Sequence, residues 1–481
     1  MINAAVCTLR LVLGVAAAVA ASPSASASES AHTSAAPPPF SNEFPWSRVP
    51  TMAQSSLPGI FTRKGMSGTG RDDDKVLRFY AENYALVVPG NPQPGKPGCL
   101  EPKIKDFADR VVSFNPNATV LVYMANNMHH GALVPPGERP DSHYLCGLDL
   151  FKKEWIATMD NGSYVTDGRG KKYTHNLSNP ECRKWWLATV SNKTLGENVR
   201  GVFADNGLDT GRTYKGVSTA RGAALLRGQQ ALLEEVRASG TYVIFNGIRC
   251  VPSGGAAGCG ERDDFDALDS LLPHASAGYF EPWLGSMFRN ATTGVLNAAA
   301  TAHALHKMIN VSRAQPSKGI TFKCGPGPCM GYIAGQSLGC TWPFTNGSTN
   351  VPNEANGSPQ TAAALRDAAS KLITFPLACF LCAAGPRWHL DYTWGYTTND
   401  FVPGEPGTHA LPGQPNLQSY APDNWHPALL RPPGTPLGEC STKDNRTFTR
   451  EWSGVSVRLS VTDETATLTW KDSEAAGSSS T

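Results

Sequence analysis

Two carboxylates close apolar runs in the same way. Gly201-Val-Phe-Ala-Asp205-Asn206-Gly207 and Gly278-Tyr-Phe-Glu281-Pro-Trp283 each read as a short strand ending in an acid. Side chains alternate along a strand, so Gly201, Phe203 and Asp205 share one face, and Glu281 holds the equivalent place after its own run. Hydrolysis of a glycosidic bond needs two such groups, one to protonate the leaving oxygen and one to attack the sugar or activate water. The simpler use of a strand-end carboxylate is to cap a helix or bind an arginine.

Other strand ends supply groups that could hold a substrate. Tyr123 and Asn126 end a third run, Asn206 follows Asp205, and Asn246 ends a fifth. Asp391, in Trp388-His-Leu-Asp391-Tyr-Thr-Trp394, is read as a substrate contact or an alternative acid. Trp283 and Trp394 each follow a candidate rim residue and are expected to stack on sugar rings; Tyr279, Tyr392 and Tyr396 fall in the same stretches. His129 and His130 follow the third run and read as loop histidines.

Several patterns point elsewhere and fall short. Gly335-Gln-Ser337-Leu-Gly339 matches a nucleophile elbow, but Cys340-Thr-Trp-Pro343 follows where a helix is required. Cys379-Phe-Leu-Cys382 has metal-site spacing without a second ligand pair. Asp72-Asp-Asp74 lacks the glycine and distal glutamate of a calcium loop and reads as the acidic start of a helix. No metal and no cofactor is implied.

These residues need a scaffold that gathers strand ends. Strands are expected at Gly59–Thr62, Tyr84–Pro89, Thr119–Ala125, Val199–Asp205, Tyr242–Asn246, Ala277–Glu281, Gly319–Lys323 and Trp388–Thr393. Helices are expected at Leu100–Phe114, Asn179–Val190, Ser218–Ser239, Asp263–Leu272, Gly294–Val311 and Gln360–Phe375. Strands alternating with helices predict an α/β fold, a (β/α)8 TIM barrel over 55–396, whose active site lies at the C-terminal strand ends. An open doubly wound sheet is the alternative, disfavoured because no Gly-X-Gly-X-X-Gly follows the first strand. A Pro/Gly-rich wrap over 397–472 ends in alternating polar and apolar residues, predicting a small C-terminal β appendage.

The ends set the compartment. Arg10 and a short apolar run to about residue 20 give way to Ala21-Ser-Pro-Ser-Ala-Ser-Ala27, which predicts a cleaved signal peptide over 1–27. Residues 28–54 and 473–481 read as a Ser/Ala/Pro-rich leader and a tail. Asn-X-Ser/Thr sequons start at Asn117, Asn161, Asn176, Asn192, Asn290, Asn310, Asn346, Asn356 and Asn445. With 12 cysteines, they predict a secreted or lumenal glycoprotein with disulfides, Cys250–Cys259 being a good local pair. A net charge of +2 without basic or acidic blocks gives no reason to expect nucleic acid or a membrane as partner.

Asn176-Leu-Ser-Asn-Pro-Glu-Cys-Arg183-Lys-Trp-Trp186, followed by Gly201-Val-Phe-Ala-Asp205-Asn206, resembles a recurrent signature of hypothetical glycosyl hydrolases. These are barrels related in architecture to alpha-galactosidase-type and polygalactosaminidase-type enzymes. Trp155 through Asp160-Asn-Gly, and Pro436-Leu-Gly438 with Phe448-Thr-Arg-Glu-Trp-Ser-Gly-Val455, are similar to them too. The resemblance implies Asp205 as nucleophile on strand four, Glu281 as acid/base on strand six and a retaining outcome. The Cys-rich insertion after strand seven departs from that pattern, so no substrate is carried over. A carbohydrate is the expected partner, and the alternative is a non-catalytic carbohydrate-binding barrel.

Overall fold

The computed structural model describes residues 46–54, 73–89, 100–129, 145, 150–166, 173–207, 216–250, 265–281, 283–285, 288–289, 295–324, 370, 372–392, 397–398, 419–420 and 426–471. All fall within the unit Pro38–Thr481. The expected strand Gly59–Thr62, the signal peptide, the Gly-X-Ser-X-Gly segment and the proposed Cys250–Cys259 pairing lie outside that description.

Eight parallel strands lie side by side in chain order: β1 (Met52–Gln54), β2 (Leu86–Val88), β3 (Thr119–Ala125), β4 (Val199–Asp205), β5 (Tyr242–Cys250), β6 (Ala277–Phe280), β7 (Gly319–Cys324) and β8 (His389–Tyr392). A parallel bridge from Thr51 to Leu390, and a bond from Leu390 N–H to Pro50 O at 2.9 Å, join the first edge to the last. The sheet is a nearly closed barrel with helices between its strands, as the alternation of elements predicts. Its first strand is Met52–Gln54, three residues that the composition assigns to the leader.

Strands buried on both faces read as unbroken apolar runs, and β3 is buried at all seven positions. One set of side chains fills the barrel: Met52, Leu86, Val88, Leu121, Tyr123, Phe203, Ile244, Ala277 and Tyr279. The alternate set packs outward against α1 (Asp73–Asn83), α2 (Glu101–Phe114), α3 (Pro180–Thr189), α4 (Thr219–Ala238), α5 (Leu268–Leu271), α6 (Ala298–Ala314) and α7 (Thr374–Ala383). The helix α4 buries Leu225, Leu232, Leu233 and Val236 and stops at Gly240, whose φ of 80° suits glycine.

The last helix, α7, departs from expectation. From Phe375 to Ala383 every residue is buried, so it has no polar face and needs cover on both sides. The barrel supplies one side. A four-stranded antiparallel sheet supplies the other: β9 (Ser441–Thr442), β10 (Thr447–Glu451), β11 (Val455–Ser460) and β12 (Thr465–Trp470). A Cys382–Cys440 disulfide ties helix to sheet, so Cys382 is a bridge residue rather than a metal ligand. Arg450 Nη1 donates to the carbonyls of Leu381, Cys382 and Ala384 at 3.0, 3.0 and 2.8 Å, acting as the helix's C-terminal cap. Arg450→Ala is expected to cost about 3 kcal/mol by leaving buried carbonyls unpaired, measurable by chemical denaturation; an unchanged midpoint would count against the cap.

Candidate active site

The C-terminal mouth of the barrel collects polar side chains from six strands. Asp205 closes β4, half-buried, and donors converge on its carboxylate. Asn206 N–H and Asn246 Nδ2 each reach Oδ1 at 2.8 Å, while the Tyr123 hydroxyl and Asn206 Nδ2 donate to Oδ2. The backbone makes this possible. Asn206 sits at φ 58°, a left-handed conformation that asparagine tolerates, which turns its amide and side chain back onto the preceding residue.

Glu281 follows β6 in the inward phase, at the position that the alternation predicts. Asn246 Nδ2 donates to its Oε2 at 2.7 Å, and Lys323 Nζ pairs with its Oε1 at 2.6 Å. The two catalytic candidates therefore share one amide nitrogen. The Asp205 and Glu281 oxygens bonded to that nitrogen lie no more than about 5.5 Å apart, the sum of the two bonds. A bulge in β5 aims Asn246 at both: pairing with β6 slips between Asn246 and Ile248, and Gly247 is the extra residue. Gly247 also lies against Gly207, where an added Cβ would meet the Gly207 Cα at 2.9 Å.

The Asn-Pro…Arg…Trp segment acts from behind this mouth. Asn179 caps α3 by accepting from Glu181 N–H at 2.9 Å, and Pro180 fills the first turn. Arg183 clamps Leu177 O and Glu235 Oε1, each at 2.9 Å. Trp186 then donates from Nε1 to Ala125 O at 2.9 Å, pinning the end of β3 beside Asp205, the residue with which Ala125 is in register.

The other expected contacts divide. Asn206 and Asn246 lie at the carboxylates, and Tyr123 joins them through its hydroxyl. Asn126 is fully buried; its backbone N–H donates to Asp205 O at 2.6 Å, so it braces β4 through the main chain. Trp283 is corrected: at 1% exposure it stacks on Phe322 at 4.5 Å in the outer core, and its backbone N–H donates to Lys323 O at 2.7 Å. No sugar face can reach it. Asp391 is corrected too, being 2% exposed within the barrel instead of open to substrate. Trp394 and Tyr396 lie outside the described residues.

Lys323, Gln54 and Tyr279 are polar groups of the mouth that the motif reading passes over or counts only as an aromatic. Lys323 Nζ is 3.5 Å from Gln54 Oε1, and the Tyr279 hydroxyl lies 2.9 Å from that oxygen and 2.6 Å from Asp391 Oδ2. Alternation along Gly319–Lys323, counted as for Asp205, turns Lys323 inward. Burial pushes Asp391 up to about 7, with the Lys323 charge and the Tyr279 hydrogen bond pulling it down and the Glu281 charge adding to the rise. Among the described residues no group of three or more His, Cys, Asp or Glu could hold a metal ion.

Its structural neighbours are glycoside hydrolases. The noncanonic maltogenic alpha-amylase AmyB from Thermotoga neapolitana is 12% identical, covering 86% of each chain at a TM-score of 0.42. The glycoside hydrolase domain of PelA from Pseudomonas aeruginosa is 14% identical over 66% of this chain and 91% of its own, at a TM-score of 0.32. The alpha-galactosidase AgaB from Geobacillus stearothermophilus is 12% identical over 71% of this chain and 38% of its own, at 0.35. Likenesses this distant say nothing of substrate or mechanism. No family model and no curated protein matches the chain.

Proposed function

We propose that this chain is a glycoside hydrolase that cleaves an oligo- or polysaccharide with retention of anomeric configuration, Asp205 being the nucleophile and Glu281 the acid/base. The observation that carries this reading is the single amide of Asn246 bonded to both carboxylates at the barrel mouth. Every hydrogen bond described on Asp205 is donated to it, so the group is held in one orientation as an acceptor, which suits attack on an anomeric carbon. In the first step an Asp205 oxygen bonds to that carbon while the bond to the leaving oxygen breaks and Glu281 gives that oxygen its proton. In the second, Glu281 takes a proton from water, the resulting hydroxide displaces Asp205, and the sugar leaves with its original configuration.

A secretory or extracellular location belongs to the same proposal. The Cys382–Cys440 disulfide and the exposed sequon asparagines 117, 161, 310 and 445 support it. No helix among the described residues is long and apolar enough to cross a membrane.

The test is stereochemical. Proton NMR of the first product formed from a hydrolysed glycan should show the anomer of the substrate, and Glu281→Gln should lower kcat on unactivated glycosides by about 10²–10⁴-fold. It should lower kcat far less where the leaving group departs without protonation. Inverted product, or full turnover by Glu281→Gln, would reject the assignment.

A further inference from the structure

Lys323 sets a chemical problem for an acid at Glu281. An ammonium 2.6 Å from a carboxyl, with both side chains largely out of water, holds a lone partner as the anion, yet an acid must carry a proton. A second carboxylate can divide that charge. Lys323 and Asp391 are register partners on adjacent parallel strands, and both lie in the inward phase. The ammonium thus has Glu281 toward the mouth and Asp391 within the barrel.

The hydrogen bonds between them allow two proton arrangements. Tyr279 has one hydroxyl proton and two acceptors in reach, Gln54 Oε1 at 2.9 Å and Asp391 Oδ2 at 2.6 Å. If Asp391 is ionised, Tyr279 donates to it, and Gln54 Oε1 is left to Lys323. If Asp391 is protonated, it donates to Tyr279, which turns its own proton to Gln54. Each arrangement satisfies Asp391, and they differ by one charge beneath Lys323.

We propose that Asp391 is a positioning residue that acts on Glu281 through Lys323: the two carboxylates compete for one ammonium, so the ionisation of Asp391 governs how readily Glu281 carries its proton. This rests on the reading of Glu281 as the acid/base. Asp391 changes charge at about pH 7, its burial being the main cause. Below that pH the Lys323 charge bears on Glu281 without competition from Asp391; above it the two carboxylates share that charge. The other titratable groups around Asp391 keep one state near neutrality. Burial pushes the Tyr84 hydroxyl and the Cys324 thiol well up, and His389, two residues earlier on β8, down to about 3.

The test follows the carboxyl carbons of ¹³C-labelled aspartate and glutamate by NMR across pH in the intact protein, with the Glu281 resonance assigned from Glu281→Gln. Asp391→Asn should move the Glu281 midpoint down by about one pH unit, and Lys323→Met should move it up by a similar amount. Tyr279→Phe, which removes only the hydroxyl supporting ionised Asp391, should move it down by less, and it serves if Asp391→Asn does not fold. The alkaline limb of kcat/KM should follow, giving Asp391→Asn about tenfold less activity one pH unit above the wild-type limb. A Glu281 midpoint that stays put in both Lys323→Met and the Asp391 or Tyr279 variant overturns the inference. Midpoints that move as expected while Glu281→Gln turns over normally keep the coupling and reject the acid/base assignment alone.

Discussion

Asp205→Asn should lower kcat/KM by on the order of 10⁴-fold or more while leaving the melting temperature within a few degrees of wild type. The exchange keeps the size of the side chain and one of its two acceptor oxygens: placed at Oδ1 it still meets Asn206 N–H and Asn246 Nδ2, while the new amide NH2 donates to the Tyr123 hydroxyl oxygen at the loss of the Asn206 Nδ2 contact. What is lost is the anionic atom that bonds to the anomeric carbon. Asp205→Gly offers a sharper version, because it clears the space that the nucleophile occupies. Azide should then restore turnover and give a glycosyl azide of inverted configuration, made in one displacement instead of two. Undiminished activity in Asp205→Asn, or a rescued product of retained configuration, would remove Asp205 from the nucleophile's role.

Gly201→Ala should produce the largest loss of stability among glycine-to-alanine exchanges in the described barrel strands, about 3 kcal/mol or more. A Cβ at this position would stand 2.4 Å from Tyr242 O and 2.6 Å from Leu121 Cδ2. The first of these is backbone of the neighbouring strand and cannot swing away as a side-chain tip could. β4 and β5 would have to part at the very strands that carry Asp205 and Asn246. Activity should therefore fall further than the folded fraction does. Urea denaturation monitored by tryptophan fluorescence, with kcat/KM corrected for the folded fraction, measures both; equal stability would mean that the interior has slack there.

The resolved strands most legible from sequence are those buried on both faces. Thr119–Ala125 and Val199–Asp205 carry apolar runs closed by polar residues, and they occupy the residues expected of them. Period-2 alternation turned Asp205 and Glu281 inward together, which is why two acids 76 positions apart in number could be paired at all. Short or uniformly apolar elements were opaque. Met52–Gln54 is too brief to show a period, and α7 has no polar face to reveal a helical one. Asp73–Asn83 was visible only through its acidic start. At the mouth, adjacency to an acid misled: Trp283 follows Glu281 closely, but the chain has by then turned to the outside of the barrel. Lys323 was within reach of the same alternation and has no motif to draw attention to it. The bridge through Asn246 was out of reach, since it depends on a bulge that pairing with β6 creates.

The nine successive buried residues of α7 give the terminal sheet a meaning beyond decoration. A polypeptide that stopped before Thr447 would present to solvent a greasy cylinder that Trp452, Val457 and Leu459 otherwise help to roof over, and such a surface invites self-association. The sheet is thus a condition of the barrel's dispersal in water, and it cannot be exchanged like an independent module: whatever replaced it would have to match the grease, the arginine clamp and the sulfur bridge at once.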